Sequence, residues 1–351
     1  MLTTAGAARD TASAYENGPI AFEVVLVTKS LSPFNNQLFG IIKIKAAAAI
    51  IPTAADCTKN DSNLRGTMGC LHYHGRSLTS ARVPGMILFQ KFTSSIHSFM
   101  AQLNDIANYA DEFLRISDFQ DYCPNGLQVE GQSQVEKIAS AVTASLSIVE
   151  RAVEWGAQCI LVHHGYFWKN ERAPIVGMKK RRLQTLLRAD VSLLGYHLPL
   201  DAHPIVGNNA QIAQRLGVID LNPLQNTNRR SVGNVGMLET ALDITDFISR
   251  CEHELSRSVT HIDSGPEVVQ KIAFCTGGAQ HMIEDAVERQ ADVYLTGEIS
   301  EQTVHIAREC GIHFIAAGHH ATERYGAQAL ALHLAEKFDL QHQFFDEINP
   351  A

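Results

Sequence analysis

The chain has 351 residues, 45% of them apolar and 19% charged, with a formal net charge of −8. That length admits two domains or one large one, and the apolar and charged fractions exclude a disordered chain. The negative balance argues against a broad basic face for nucleic acid or an anionic membrane, although not against an anionic ligand held by bound cations.

The first 99 residues differ in texture from the rest. They hold nine Lys/Arg against five Asp/Glu, so +4, and the remainder carries −12. Their periodicity is weak, and the tract A-A-A-A-I-I-P-T-A-A follows neither a helical nor a strand pattern. No charged start precedes a short apolar core, so the layout of a secretory signal is missing. The longest apolar stretch, Phe39 to Ala55, is interrupted by Lys43, Lys45 and Pro52, and no run reaches the about 18 residues of a membrane span. His72 and His74 read as a stray surface pair rather than as ligands. Met100 reads as the functional start, with residues 1–99 an extension.

From Met100 the pattern sharpens. Leu103, Ile106, Ala107, Ala110 and Phe113 recur at helical spacing and predict an amphipathic helix over Gln102 to Phe113. Pro124-Asn125-Gly126 is a turn signal. Lys137 to His164 then aligns without a gap on Lys271 to Glu298, at an offset of 134. Lys137/Lys271, Ile138/Ile272, Ala139/Ala273, Glu150/Glu284, Ala152/Ala286, Val153/Val287, Glu154/Glu288, Ala157/Ala291 and Leu161/Leu295 are identical. Each copy predicts a strand, an amphipathic helix and a second strand, then continues through a further helix to a third strand. Those third strands are Val191 to Tyr196 and Ile312 to Ala317. The fold class is α/β: two βαβαβ-like units with buried, mostly parallel strands.

Both third strands end in one arrangement. G-Y-H-L-P-L-D puts His197 four residues before Asp201, and G-H-H-A-T-E puts His319 four residues before Glu323. L-V-H-H-G adds His163 and His164 after another predicted strand, and Glu298 occupies the repeat position of His164. In open α/β sheets, sites form beyond the carboxyl ends of strands, where all of these fall. Imidazole and carboxylate are ligands for Zn, Fe or Mn. A single His after a strand is usually structural; the repeated placement favours a metal site holding more than one ion. Adjacent strand residues point to opposite faces, but at a strand end both His163 and His164 can reach one cavity. A carboxylate, Asp201 or Glu323, suits a bridge between two cations, which would lower the pKa of bound water and supply a hydroxide nucleophile.

Weaker candidates carry blander readings. His320 adjoins His319, and either orienting a ligand or exposure fits it equally. His203, before Pro204, suits a structural role in its loop; His281, His305 and His313 read as structural. Thr276-Gly277-Gly278 reads as a tight turn rather than as a backbone cradle for a ligand. The seven cysteines are scattered, with no C-x-x-C pair, which argues against a disulfide framework and a cysteine-based zinc site and suits a reducing cytoplasm. There is no G-x-x-x-x-G-K-[ST] loop and no G-x-S-x-G elbow, so P-loop NTPase and α/β-hydrolase chemistry are unsupported.

D-Y-C-P-N-G-L-Q-V-E-G, V-H-H-G-Y-F-W, G-Y-H-L-P-L-D-A-H-P-x-x-G-N-N, T-G-E-I-S-E-Q and A-A-G-H-H-A-T-E-R, in this order, resemble the YbgI-like branch of the Nif-three-like family, whose members are labelled GTP cyclohydrolase I type 2 homologues. The resemblance spans Met100 to Ala351. It implies two similar, intertwined α/β lobes in three-layer α/β/α arrangement with mostly parallel mixed sheets. The lobes would be residues 100–226 and 227–351, the C-terminal part of the second completing the site with the first. It implies two divalent ions per chain (Zn, Fe or Mn) on His163, His164, Asp201, His319 and Glu323. His197 matches a family His close to the site; His197 and His320 are candidate proton shuttles. It also implies a toroidal homohexamer. The activity expected is metal-dependent hydrolysis of GTP or a related small molecule; the rival class is a metal carrier or insertion scaffold without turnover. Tyr325-Gly326 departs from a Gly-Gly pair expected in relatives, after the ligands. No membrane partner is expected, and nucleic acid is disfavoured.

Overall fold

The computed structural model describes residues 100–225 and 231–351, together with the backbone of five strands further upstream. The chain divides into two compact units, Met1–Ser95 and Ile96–Ala351. In the first, β1 (Ala21–Lys29) and β2 (Phe39–Ala47) form an antiparallel pair, and β3 (Gly69–Tyr73), β4 (Arg76–Val83) and β5 (Met86–Lys91) an antiparallel sheet. The side chains of His72 and His74 lie outside the described residues.

The second unit opens with β6 (Ala101–Gln102), α1 (Leu103–Leu114), β7 (Gly126–Val129) and β8 (Gln134–Val135). The first repeat follows as β9 (Lys137–Thr143), α2 (Leu146–Trp155), β10 (Cys159–His164), α3 (Gly177–Ala189) and β11 (Ser192–Gly195). The short α4 (Leu198–Asp201) and then α5 (Asn208–Leu216), β12 (Val218–Pro223), β13 (Asn234–Asp243), α6 (Ile244–Leu255) and β14 (Thr260–Ile262) lead to the second. It comprises β15 (Val268–Cys275), α7 (Ile283–Glu288), β16 (Val293–Thr296), α8 (Glu301–Cys310) and β17 (His313–Ala316). Helix α9 (His319–Phe338) and β18 (Gln341–Phe344) close the chain.

Apart from β6 and β8, which pair antiparallel with each other, the strands of this unit assemble into two mixed sheets. One has the order β18-β9-β10-β11-β7, the other β12-β13-β15-β16-β17-β14. Within each, the repeat strands pair in parallel, and the offset of 134 carries into the register: Ile138 faces Cys159 as Ile272 faces Val293. The antiparallel strands that flank the parallel trios, β7, β12, β13 and β14, have no counterpart in the sequence reading.

Side-chain alternation along the central strands makes two cores per sheet. In the first sheet Ile138, Leu161 and Leu194 pack under α1 and α9, whereas Ala139, Ile160 and Leu193 pack under α2 and α3. In the second, Ile272, Leu295 and Ile315 meet α5 and α6, whereas Ala273, Tyr294 and Phe314 meet α7 and α8. This is the three-layer arrangement expected. Helix α9 leaves the second sheet after β17 yet buries Leu330 and Leu334 in the first sheet's core, while its Tyr325 belongs to the second. Strand β18 then pairs parallel with β9. No helix among the described residues is long and apolar enough to cross a membrane.

Because α9 is the tie between the sheets, truncating its buried face should be costly and its exposed face silent. Leu330→Ala, at a fully buried position, is expected to lose about 2–5 kcal/mol in denaturant unfolding. Leu332→Ala, at an exposed one, should stay within about 0.5 kcal/mol.

Candidate metal centre

The two His-x-x-x-carboxylate elements are single helical turns. Residues four apart share a helix face, so α4 carries Asp201 beside its N-capping His197, and the first turn of α9 carries His319 beside Glu323, with His319 Nε2 3.2 Å from Glu323 Oε2. At the end of β10 the rings of His163 and His164 lie 4.5 Å apart, centroid to centroid, as the strand-end argument requires.

Glu323 joins these elements. Its Oε1 lies 3.5 Å from His163 Nε2, which is also 3.5 Å from Asp201 Oδ1. Its Oε2 lies 3.2 Å from Nε2 of both His164 and His319. Donor atoms of His163, Asp201 and Glu323 thus fall within 4.8 Å of one another, as do those of His164, His319 and Glu323, and those of His163, His164 and His197. All five residues that the resemblance named are brought together, with His197 beside them. His320 is not part of the cluster: its Nε2 meets Asp346 Oδ1 at 2.9 Å.

The outer nitrogen of each ring is held, which fixes where the inner one points. His163 Nδ1 donates to the Tyr196 carbonyl at 2.9 Å, His164 Nδ1 meets Thr143 Oγ1 at 3.2 Å, and His319 Nδ1 meets Glu298 Oε1 at 2.7 Å. His197 Nδ1 meets Asp121 Oδ1 at 2.7 Å. Asp201 Oδ1 accepts from Asn208 Nδ2 at 2.8 Å, and Asn208 Oδ1 accepts the N–H of Gly326 in α9. Asn209 Oδ1 accepts the N–H of Thr276.

The residues fit a cation. His163 Nε2 and Glu323 Oε2 are buried and without a hydrogen-bond partner, an expensive state that a divalent ion relieves. Imidazole nitrogen with carboxylate oxygen is a donor set for Zn, Fe or Mn. Access is one-sided. The His163 side chain is fully buried, whereas those of His164 and His319 are 18% and 29% exposed. Tyr122, 62% exposed, and Trp168 flank that open side, Trp168 packing edge-on against His197 at 5.0 Å and lying 5.9 Å from His164. A separate cavity of about 880 Å³, lined by Phe113, His203, Lys271 and Arg289 among others, includes none of the clustered side chains.

Several site residues escaped the sequence reading. Asp121 and Asn208 lie within the quoted motifs but were not assigned roles. Glu298 was flagged by its repeat position, and it holds His319. Gly277 has φ +72, and a Cβ there would collide with Glu323 Oε1, so Thr276-Gly277-Gly278 is a wall of the site as well as a turn. His203 takes the structural role expected, its Nδ1 accepting from the N–H groups of Ile205 and Val206.

Electrostatics follow from burial and proximity. Burial opposes charging His163, but Asp201 and Glu323 outweigh it and lift its pKa to about 9. Burial likewise opposes His319, and Glu323 and Glu298 lift it to about 9. Burial pulls His164 down to about 3 against the attraction of Glu323. Burial would raise Glu323, but His163 and His164 hold it well below the carboxylate range. At pH 7 His163 and His319 therefore carry protons that a cation must displace before their Nε2 atoms can donate. Metal loading at pH 7 should release close to two protons per chain, and affinity should rise with pH up to about 9 and flatten above it. Calorimetry in buffers of different ionisation enthalpy reads this; loading without proton release would contradict it. Gly277→Ala should weaken metal binding by about 10- to 100-fold by displacing Glu323, as measured by chelator competition.

The model of the Duf34/NIF3 (NGG1p interacting factor 3) family matches residues 101–350. A Pseudomonas aeruginosa protein named GTP cyclohydrolase 1 type 2 homolog is 53% identical over 249 residues, covering 71% of this chain and 98% of the relative. An Escherichia coli protein of the same name is 48% identical over 251 residues, covering 70% and 98%. Among solved structures, the protein ybgI, described as of unknown function, superposes with a TM-score of 0.69 at 47% identity, covering 71% of this chain and all of that one. A Thermus thermophilus protein gives 0.66 at 34%, with the same coverage. On its motifs, its fold and these matches, the chain belongs to the Duf34/NIF3 family.

Proposed function

We propose that the chain is a dinuclear metal-dependent hydrolase acting on GTP or a related nucleotide. The observation that carries the reading is Glu323, one buried carboxylate whose two oxygens face two different sets of donors: His163 with Asp201, and His164 with His319. Two divalent ions would supply Lewis acidity there and lower the pKa of coordinated water.

The chain's own groups do the rest. Asp121 orients His197, which is the residue suited to exchange a proton with a ligand on the open side. His320 is committed to Asp346 and is the weaker shuttle. Tyr122 and Trp168 offer flat faces on which a purine can stack. The GTP part of the reading is supported by the printed name of the relatives. The residue 100–226 and 227–351 lobes, the homohexamer and the cytoplasmic setting belong to the same proposal. Among the described residues all five cysteines are free, which suits a reducing compartment.

Elemental analysis of protein purified without chelator tests the centre. About two ions per wild-type chain are expected, with loss in both His164→Ala and Glu323→Ala. GTP turnover should follow the metal content and fall in Trp168→Ala through a raised KM. Wild-type protein that takes up neither Zn, Mn nor anaerobic Fe(II) would sink the reading. Two ions that exchange rapidly, with no turnover of any nucleotide, would favour a metal carrier instead.

A further inference from the structure

We propose that the cavity of about 880 Å³ outside the metal centre binds the phosphate groups of a small molecule of nucleotide size, through Lys271 and Arg289. The internal repeat supplies the comparison. At the offset of 134, Lys271 is the counterpart of Lys137, and Arg289 that of Trp155. In the first repeat this pair satisfies itself: Lys137 Nζ donates to the Trp155 carbonyl at 3.2 Å and lies 5.1 Å from the centre of its ring. In the second repeat an arginine replaces the aromatic ring, so two cations stand where the first repeat has one.

Neither cation is neutralised. Among the described residues, Lys271 Nζ has no hydrogen-bond or ion-pair partner, and Arg289 faces no carboxylate. The acids in this part of the fold are engaged elsewhere. Asp292 accepts the backbone N–H groups of Gln270 and Lys271, and Asp285 accepts from Gln225 Nε2. Two like charges facing one cavity repel, and an anion between them converts that repulsion into charge-assisted hydrogen bonds.

The cavity suits such a ligand. Among the described residues no Asp or Glu lines it, and the exposed Arg115, itself paired with Asp118 at 2.9 Å, adds a third cation. Arg289 is held in place beforehand: its Nε and Nη2 donate to the carbonyls of Leu224 and Pro223, each at 2.8 Å. That fixes the guanidinium plane and leaves Nη1 for an incoming oxygen. Lys271 contributes three donors on a flexible stem. Phe113 and the Ala202-His203-Pro204 turn form a less polar wall, so the space holds more than phosphate; pockets for drug-sized ligands run to roughly 300–1,000 Å³. The turn follows Asp201 in the chain, yet no side chain of the metal cluster lines the cavity. The site is therefore separate from the dinuclear centre and independent of the hydrolase reading.

Calorimetric titration of the full chain with inorganic triphosphate, and then with GTP, tests the assignment. The wild-type chain is run beside a His164→Ala/Glu323→Ala chain, in which the dinuclear centre is disabled and cannot itself capture the anion. Both are expected to bind the probes at a site that Lys271→Gln weakens by about 10- to 100-fold. Lys271→Arg, which keeps the charge, should stay within a few-fold of the parent. GTP binding tighter than triphosphate would identify a nucleotide as the ligand, and equal affinities a phosphate chain alone. No binding of either probe to the double variant, or affinities that Lys271→Gln leaves unchanged, overturn the proposal. The dinuclear reading fails separately, through the metal content of the wild-type chain, which Lys271→Gln should not alter.

Discussion

A buried carboxylate flanked by three imidazoles is the constraint on which the site depends. Glu323 is 3% exposed and lies within 3.5 Å of His163, His164 and His319. Burying a charge of this kind costs several kcal/mol unless opposite charge and hydrogen bonds compensate it. Protons on His163 and His319 can do so only partially, over contacts of 3.5 and 3.2 Å to Glu323. A divalent cation held by these donors would meet both needs. The chain route serves this geometry: β17 ends in the second sheet, α9 begins with His319 and Glu323, and its later turns pack on the first sheet, which supplies His163 and His164.

Around this carboxylate the fold spends backbone and polar side chains on orientation. The Tyr196 carbonyl, Thr143, Glu298 and Asp121 each hold one ring nitrogen. The remaining ring nitrogens are thereby aimed inward before any ion arrives, which lowers the reorganisation needed on binding. Asn208 and Asn209 extend the scheme, tying Asp201 to α9 and to the end of β15. The centre is held between sheets by hydrogen bonds that cross from one to the other. Closing it is therefore coupled to how the two sheets pack.

Much of this was legible in the residues. Helical spacing located α1 within one residue, and the gapless repeat anticipated both parallel strand trios, because periodicity and burial alternate as physics demands. His163, His164, Asp201, His319 and Glu323 stood out because His and carboxylate side chains recur after predicted strands, and the structure brings the five together. The antiparallel edges were not, since strand order is a matter of tertiary pairing. Nor were the roles of Asp121, Thr143 and Gly277, each of which acts through contacts distant in sequence. Gly277 matters for the side chain it lacks, a property that sequence alone cannot separate from a plain turn.

X-ray absorption on zinc-loaded protein tests the shared-carboxylate claim most directly. A Zn–Zn scattering shell at about 3.5–4 Å is expected, with a first shell of mixed nitrogen and oxygen, and the Zn–Zn shell should vanish in Glu323→Gln. Zinc bound with that first shell but no metal–metal shell would contradict the bridging role assigned to Glu323.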